Sequence, residues 1–195
     1  MSSGSSPGLP GMTRVIAGQT VSLDGYFEDA DGRFAALYSD FEELMDSAYM
    51  KASQAETGAV LMGRRTFDMA GDPDSYAVDY EYQVPLFVLT HRAPERAPKR
   101  NENLYVTFVT EGLESAVAQA SAAAGDRAVT VVGGADLNRQ LLAAGLADEL
   151  RVDVMPVLLG SGRRLFDGVP PGVRLEKIGV EEAGVRTSLS FRVLR

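Results

Sequence analysis

A strand-to-helix turn near residue 63 carries the side chains best suited to binding an anion. Residues 59–62 are wholly apolar, which predicts a strand buried on both faces, and Gly63 ends that strand. Arg64, Arg65 and Thr66 then open a short helix whose first amide groups have no intrahelical partner. The helix dipole and two guanidinium groups favour a phosphate there. The alternative is a turn with two solvated arginines, because a helix N-terminus favours anions whether or not one binds.

A second predicted strand end carries three more groups that bind phosphate oxygens. The apolar strand signature of residues 85–90 ends at Thr90, His91 and Arg92. Hydroxyl, imidazole and guanidinium groups are all suitable phosphate donors. Taken alone, His91 is typical of a surface loop. Next to the arginines of the first turn, it becomes a candidate ligand.

A third predicted strand, residues 128–132, is followed by Gly133 and Gly134. Two glycines between a strand and a helix let backbone amides approach a pyrophosphate without obstruction by side chains. Such a pair is weak evidence by itself. The candidate cofactor contacts at this turn also include the first residues of the next helix, Ala135, Asp136 and Leu137.

The N-terminal strand and the loop after it supply the remaining candidates. Residues 13–20 predict a central strand in which the small Ala17 and Gly18 would let a flat ring approach the backbone. In the following loop, Asp24 and Gly25 predict a turn. Asp24 is the only candidate for orienting or protonating a substrate, and a plain turn residue is the alternative.

These segments together resemble the dihydrofolate reductase superfamily. Residues 62–67, Met-Gly-Arg-Arg-Thr-Phe, are similar to its Met-Gly-Arg-x-Thr-aromatic motif, and residues 89–92 and 131–134 follow in the order that the family requires. Residues 22–25 and 145–162 narrow the likeness to the reductase domain of the bifunctional riboflavin-biosynthesis deaminase-reductases and their stand-alone relatives. The resemblance extends over residues 13–194.

The resemblance implies an NADPH-dependent reductase that transfers a hydride to a small nitrogen heterocycle, such as a pteridine, a pyrimidine or a flavin-like compound. It places the adenosine part of NADPH at residues 90–92, and the segment around Asp24 beside nicotinamide and substrate. It also implies that the 133–134 peptide is often cis. Finally, it implies a homodimer that pairs through the late strands, where Met155 and Val157 predict an outward apolar strip. The alternative is a monomer in which the helices already cover both faces of the sheet.

Two departures from the family pattern leave the substrate open. The riboflavin-pathway reductases carry a lysine six positions before the matching aspartate, and this chain has Gly18 there. Neither Asp40 nor Asp46 matches the helix carboxylate with which folate-reducing enzymes engage a pteridine. The alternatives are therefore a nucleotide- or drug-binding protein without turnover and a general flavin reductase.

The remaining pattern predicts the elements that position these strand ends. Ser39 begins a helix, with Glu42 completing a capping box. The acidic and aromatic residues 72–83 predict a solvated loop or short helix, or alternatively a pocket wall whose tyrosines stack on a heterocycle. The predicted fold class is α/β, with a mixed, mainly parallel sheet and helices on both faces. The other predicted elements are strands 104–108 and 148–155, helix 113–123 and a C-terminal antiparallel hairpin, 173–180 and 185–194.

Composition limits the classes of function. The 195 residues fit one domain, predicted over residues 12–195, and residues 1–11 are typical of an expression-vector remnant. A net charge of -8 argues against binding to nucleic acid or anionic membranes. With no cysteine and one histidine, no disulfide, deaminase zinc site or other metal site is expected. A cytoplasmic location is the simplest prediction.

Overall fold

A computed structural model gives the positions of residues 13–194, and an eight-stranded sheet runs through their centre. The predicted vector remnant lies outside the described residues. The strands are β1 (Val15–Ser22), β2 (Tyr26–Glu28), β3 (Thr57–Gly63), β4 (Leu86–Leu89), β5 (Val106–Val109), β6 (Ala128–Val131), β7 (Glu149–Met155), β8 (Arg163–Arg164), β9 (Arg174–Ala183) and β10 (Arg186–Leu194). The α-helices are α1 (Phe41–Asp46), α2 (Ala48–Glu56), α3 (Arg64–Asp68), α4 (Tyr76–Asp79), α5 (Leu113–Ala124) and α6 (Ala135–Ala143).

The strand order confirms the predicted fold class. The large sheet runs β5-β4-β3-β6-β1-β7-β10-β9. The first six strands in that order are parallel, and β10 is antiparallel to both β7 and β9. Strands β2 and β8 form a separate two-stranded ribbon. The carboxyl ends of the parallel strands therefore meet at one edge of the sheet, where the three predicted motifs lie.

Strand β3 shows why this sheet is covered on both faces. Its side chains alternate, so Ala59 and Leu61 enter one hydrophobic core while Val60 and Met62 enter the other. The first core includes the small face of α5. At Gly58, a Cβ atom would lie 2.4 Å from the carbonyl oxygen of Ala124. A glycine is therefore required where α5 packs directly against the β3 backbone.

The helix predicted from Ser39 is wrong in its boundaries and its continuity. Asp40, not Ser39, precedes α1, and its carboxylate binds Arg186 instead of capping the helix. Ser47 then separates α1 from α2, because its backbone is extended. The Ser47 hydroxyl donates to the carbonyl of Leu44 and accepts from the amide of Met50. One serine thus ends the first helix and caps the second.

The predicted outward strip at residues 155–157 is wrong for Met155, whose side chain is buried. The register of β7 turns this residue inward. Exposed apolar side chains lie in the loop that follows, at Leu158, and on the edge strand β9, at Leu175, Ile178 and Val180. No helix among residues 13–194 is long and apolar enough to cross a membrane.

Candidate active site

A cleft of about 1090 Å³ opens at the carboxyl ends of the parallel strands. It is lined by the turns that follow β3, β4 and β6, so the three motifs converge as the sequence predicts. Twelve of the thirteen proposed cofactor-binding residues line it: Gly63, Arg64, Arg65, Thr66, Thr90, His91, Arg92, Gly133, Gly134, Ala135, Asp136 and Leu137.

The turn after β6 packs directly against the turn after β3. Gly133 and Gly134 have φ values of +70° and +85°, which disfavour side chains at both positions. A Cβ atom on Gly133 would lie 2.8 Å from Cγ2 of Thr66. The implied cis peptide is not found, because no peptide bond among the described residues is cis, and the two positive φ angles turn the chain instead. Both glycines line the cleft, so this part of its wall is backbone.

The turn after β4 forms a positively charged end of the cleft. The guanidinium of Arg64 donates to Asp68 and, at 3.1 Å, to the carbonyl of Arg92. The Thr90 hydroxyl donates to the same carbonyl at 3.1 Å, so the turn is held on both sides. Within residues 13–194, the exposed side chains of His91 and Arg92 have no hydrogen-bond or ion-pair partner. These two groups are therefore available to an anionic ligand.

Arg65 does not join that charged end. Its guanidinium lies 3.0 Å from the carboxylate of Glu28, which also accepts from Arg163 at 3.2 Å. The Glu28 side chain is only 8% exposed, so the two arginines neutralise a buried charge. All three residues line the cleft. Sequence reasoning missed Glu28 and Arg163, and the only local signal was the basic pair after Gly160-Ser161-Gly162.

Strand β1 reaches the cleft at Gln19, not at Ala17. The side chain of Ala17 is fully buried, and Ala17 is the one proposed cofactor residue that does not line the cleft. Gly18 exchanges two hydrogen bonds with the Asn138 side chain, at 3.0 and 2.9 Å, which ties β1 to α6. A Cβ on Gly18 would face the backbone of Arg151, on the neighbouring strand β7. The small residues here thus serve packing between strands.

Asp24 lies outside the cleft lining, and its carboxylate has structural partners. It accepts from the Ser22 hydroxyl at 2.6 Å and from the amides of Leu159 and Gly160 at 3.1 and 2.8 Å. The Ser22 hydrogen bond, with these amides, lowers the pKa of Asp24 below its usual value. Asp24 therefore holds its turn against the loop after β7. Its carboxylate lies away from the cleft, where the predicted catalytic role would require it.

Residues 72–83 form a wall of the cleft, in agreement with the second of the two predicted alternatives. Tyr76 and Tyr80 line the cleft with their rings 4.9 Å apart, and Tyr76 also stacks on Phe67. Tyr82 lies behind them in the core. The first alternative is confirmed in part, since residues 76–79 form the short helix α4 and Val78 is 78% exposed, whereas Tyr76 and Tyr82 are buried in the second core.

The family model of the RibD C-terminal domain matches residues 13–189. The chain belongs to the RibD C-terminal domain family. Among curated proteins it is similar to the uncharacterized protein YwjB of Bacillus subtilis, with 28% identity over 172 residues that cover 88% of this chain and 92% of that protein. The expected relationship to stand-alone relatives of riboflavin-biosynthesis reductases is confirmed.

Solved structures agree with this RibD C-terminal assignment. A Shewanella sp. PV-4 protein named for riboflavin biosynthesis has 25% identity and a TM-score of 0.68, covering 94% of this chain and all of that chain. A Thermotoga maritima diaminohydroxyphosphoribosylaminopyrimidine deaminase/5-amino-6-(5-phosphoribosylamino)uracil reductase has 18% identity and a TM-score of 0.67, covering 94% of this chain but 57% of that one. Enterococcus faecalis dihydrofolate reductase, complexed with NADP(H), has 16% identity and a TM-score of 0.54, covering 93% and 96%.

The residues of this RibD C-terminal domain fit a dinucleotide phosphate. Gly133 and Gly134 line the cleft without side chains at the start of α6, and the start of a helix favours a phosphate. His91 and Arg92 offer partner-free donors at the end of the neighbouring strand. The volume of about 1090 Å³ lies at the upper end of small-molecule sites, which suits a cofactor together with a small substrate.

Proposed function

We propose that this protein is an NADPH-dependent reductase that reduces a small nitrogen heterocycle of the pteridine, pyrimidine or flavin-like class. The convergence of three strand-end motifs on one cleft carries the proposal. Membership of the RibD C-terminal domain family supports it, as do solved neighbours that include a uracil reductase and a reductase with NADP(H).

In this proposal, bound NADPH supplies a hydride and is left as NADP⁺. His91 and Arg92 would bind its 2′-phosphate, and the amides around Gly133 and Gly134 would bind its pyrophosphate. Arg64 positions Arg92 through the carbonyl that it binds. Arg65 has a different role from the one predicted, since with Arg163 it holds Glu28 across the cleft.

NADPH is expected to bind more tightly than NADH, and Arg92→Ala should remove most of that preference. One charge-assisted hydrogen bond contributes about 1.5–3 kcal/mol, so the affinity for NADPH should fall roughly tenfold or more while NADH changes little. Fluorescence titration of both cofactors measures this. The control is Arg100→Ala, an exposed arginine in the same connection that does not line the cleft. Equal affinities of the wild type for the two cofactors would contradict the phosphate site.

Turnover separates the proposed reductase from its alternatives. NADPH oxidation would be followed with dihydrofolate, 5-amino-6-(5-phosphoribosylamino)uracil and riboflavin as acceptors. Oxidation with dihydrofolate supports reduction of a ring C=N bond. Oxidation with the aminouracil alone supports a reductase but places the hydride on the sugar carbon, not on the ring. Oxidation with riboflavin alone would favour a general flavin reductase. Tight NADPH binding without oxidation in any mixture would favour a binding protein and contradict the proposed activity.

We also propose a homodimer, now through β9. Val180 is 57% exposed on this edge strand, and Ile178, which is 41% exposed, lies at the β-bulge two residues before it. Exposed apolar side chains on an unpaired strand edge are typical of an interface. Light scattering should give about twice the chain mass of 20.9 kDa, and Val180→Asp should give the monomer mass. Val185→Asp, at the exposed hairpin tip, is the control and should remain dimeric. A wild-type mass near 20.9 kDa would contradict the dimer. The cytoplasmic location stays a prediction.

A further inference from the structure

Two residues of the cleft wall carry buried polar atoms without a partner. Within the described part of the chain, neither the Tyr80 hydroxyl nor the side-chain oxygen of Gln19 has a hydrogen-bond partner. The neighbouring tyrosines differ in this respect. The Tyr76 hydroxyl donates to the carbonyl of Phe67 at 3.1 Å, and the Tyr82 hydroxyl lies 2.9 Å from that of Ser53. Because an unsatisfied buried polar atom costs free energy, the unpaired groups on this wall point to a missing ligand.

Glu81 lines the cleft directly beside Tyr80. Its backbone carbonyl accepts from Gln54, but no cation and no other residue among residues 13–194 bonds its carboxyl group. Burial, with the nearby charge of Asp79 as a smaller cause, raises the pKa of Glu81. The other titratable groups that interact with it are phenols of the surrounding elements: Tyr38, Tyr76, Tyr80 and Tyr82. None of these neighbours is a cation. The hydrogen bond from its own backbone amide lowers the pKa of Glu81, but burial has the larger effect, so the carboxyl holds its proton to a higher pH than an exposed glutamate.

This acidic wall adjoins the end of the cofactor region. Gln19 follows Gly18, which the Asn138 side chain ties to α6, and α6 begins at the Gly133-Gly134 turn. On the other side, Tyr38 interacts with both Thr20 of β1 and Glu81. Gln19, Tyr80, Glu81 and both glycines line the same cleft, so one ligand can contact β1, the tyrosine wall and the glycine turn.

We propose that Glu81 is the proton donor of the reaction and that the substrate is an aromatic heterocycle that presents a C=N nitrogen to Glu81 and an N–H group to the side-chain oxygen of Gln19. The ring would pack on the partly exposed Tyr80, whose hydroxyl would gain its partner from the ligand. This inference rests on the proposed reductase function. The proposed proton donor therefore lies in the loop after α4. It is neither Asp24 nor a carboxylate on the helix that folate-reducing enzymes use for this purpose.

The step conserves atoms and charge. The carbon of the C=N bond gains the hydride that NADPH supplies, and the electron pair of that bond moves to the nitrogen. The nitrogen takes the proton of the Glu81 carboxyl, which becomes a carboxylate. Water then returns a proton to Glu81, so each turnover consumes one NADPH and one proton.

Glu81→Gln, compared with the exposed Glu102→Gln, tests the assignment in the full chain. Titration of the glutamate carboxyls by ¹³C NMR without any ligand should show one group with a raised pKa, absent in Glu81→Gln and present in Glu102→Gln. With an active acceptor from the panel above, Glu81→Gln should lower kcat by about 10²–10⁴-fold and leave the Kd of NADPH unchanged. The wild-type rate should fall as the pH rises through the pKa of Glu81, and the variant should lose that dependence.

Tyr80→Phe, compared with Tyr82→Phe, tests the ligand contact. Removing the unpaired Tyr80 hydroxyl should leave Tm unchanged or higher, and it should raise the KM of the acceptor about two- to tenfold. Removing the partnered Tyr82 hydroxyl should lower Tm and leave that KM unchanged.

The outcomes separate this inference from the proposed function. If NADPH is oxidised but Glu81 titrates with the other carboxyls, or Glu81→Gln keeps the wild-type kcat and pH profile, the proton donor is overturned and the reductase stands. If no acceptor is reduced, both are overturned. If Glu81→Gln loses kcat while Tyr80→Phe leaves KM unchanged, the acid is supported and the ligand contact at Tyr80 is overturned.

Discussion

Replacing Asp40 with asparagine is expected to destabilise the protein by about 3 kcal/mol, because it leaves a buried arginine with only the more distant carboxylate of Asp153, 3.8 Å away, as a charge partner. The side chain of Arg186 is 1% exposed. Its guanidinium binds both oxygens of Asp40, with Nε 2.9 Å from Oδ2. It also donates to Thr20 and to the carbonyl of Leu37, each at 3.3 Å. Urea denaturation of wild type and Asp40→Asn measures the difference in the free energy of unfolding.

The matched control is the exposed pair of Arg192 and Glu176. These side chains lie 2.6 Å apart but are 53% and 52% exposed. Water and salt screen such a pair, so Glu176→Gln should change the free energy of unfolding by less than about 1 kcal/mol. Equal effects of Asp40→Asn and Glu176→Gln would show that burial does not decide the strength of the Arg186 pair.

The pH dependence of stability is an independent test of the pair formed by Asp40 and Arg186. The hydrogen bonds from Arg186 lower the pKa of Asp40 in the folded protein. Its contribution to stability is therefore complete above the ordinary aspartate pKa of about 3.9, and it is lost as the pH falls from there through the lowered value. The difference in stability between wild type and Asp40→Asn should shrink over that acid range. A difference that stays constant down to the lowest pH would contradict the ionised pair.

The same pair connects stability to the site. The Arg186 guanidinium lies 5.8 Å from the ring centroid of Tyr38, and that ring lines the cleft. Because Arg186 also binds the carbonyl of Leu37, it fixes the turn that presents Tyr38. We therefore expect Asp40→Asn to weaken acceptor binding as well as the fold.

Local sequence was sufficient for the parts of the site that follow from strand ends. Apolar runs before Gly63, Thr90 and Gly133 predict buried parallel strands, and parallel strands place their carboxyl ends at one edge. The convergence of these turns on one cleft was therefore predictable without any knowledge of distant contacts.

The remaining features depend on partners far away in the chain. The Glu28 carboxylate is held by an arginine 37 residues away and by another 135 residues away. The periodicity of apolar and polar residues along the sequence cannot predict contacts between side chains so far apart in the chain. The sequence makes Asp24 a plausible acid, but it does not show that the amides of residues 159 and 160 donate hydrogen bonds to its carboxylate. The sequence around Glu81 does not set this residue apart from the other acidic residues of the segment. Its lack of a cationic partner depends on which side chains pack around it in the folded protein.

Gly133→Ala is expected to lower the affinity for NADPH by about tenfold to a hundredfold. A non-glycine residue at a φ of +70° is strained by about 1–3 kcal/mol, and each 1.4 kcal/mol that reaches binding is a factor of ten. The new methyl group would also lie 2.8 Å from Cγ2 and 3.1 Å from Oγ1 of Thr66, so the Thr66 side chain or the turn that carries it must shift. We expect that shift to disturb the proposed pyrophosphate site.

Gly145→Ala distinguishes this displacement from backbone strain alone. Gly145 has a φ of +66°, and no atom lies within 4 Å of the position of its Cβ, so the substitution adds similar strain without a collision. Both variants should lose stability in urea, whereas only Gly133→Ala should lose affinity for NADPH in fluorescence titration. Adding Thr66→Ser to Gly133→Ala removes the colliding methyl group and keeps the hydroxyl, so it should restore part of the affinity. If Gly145→Ala weakens NADPH as much as Gly133→Ala, or Thr66→Ser restores nothing, contact between the two turns does not shape the cofactor site.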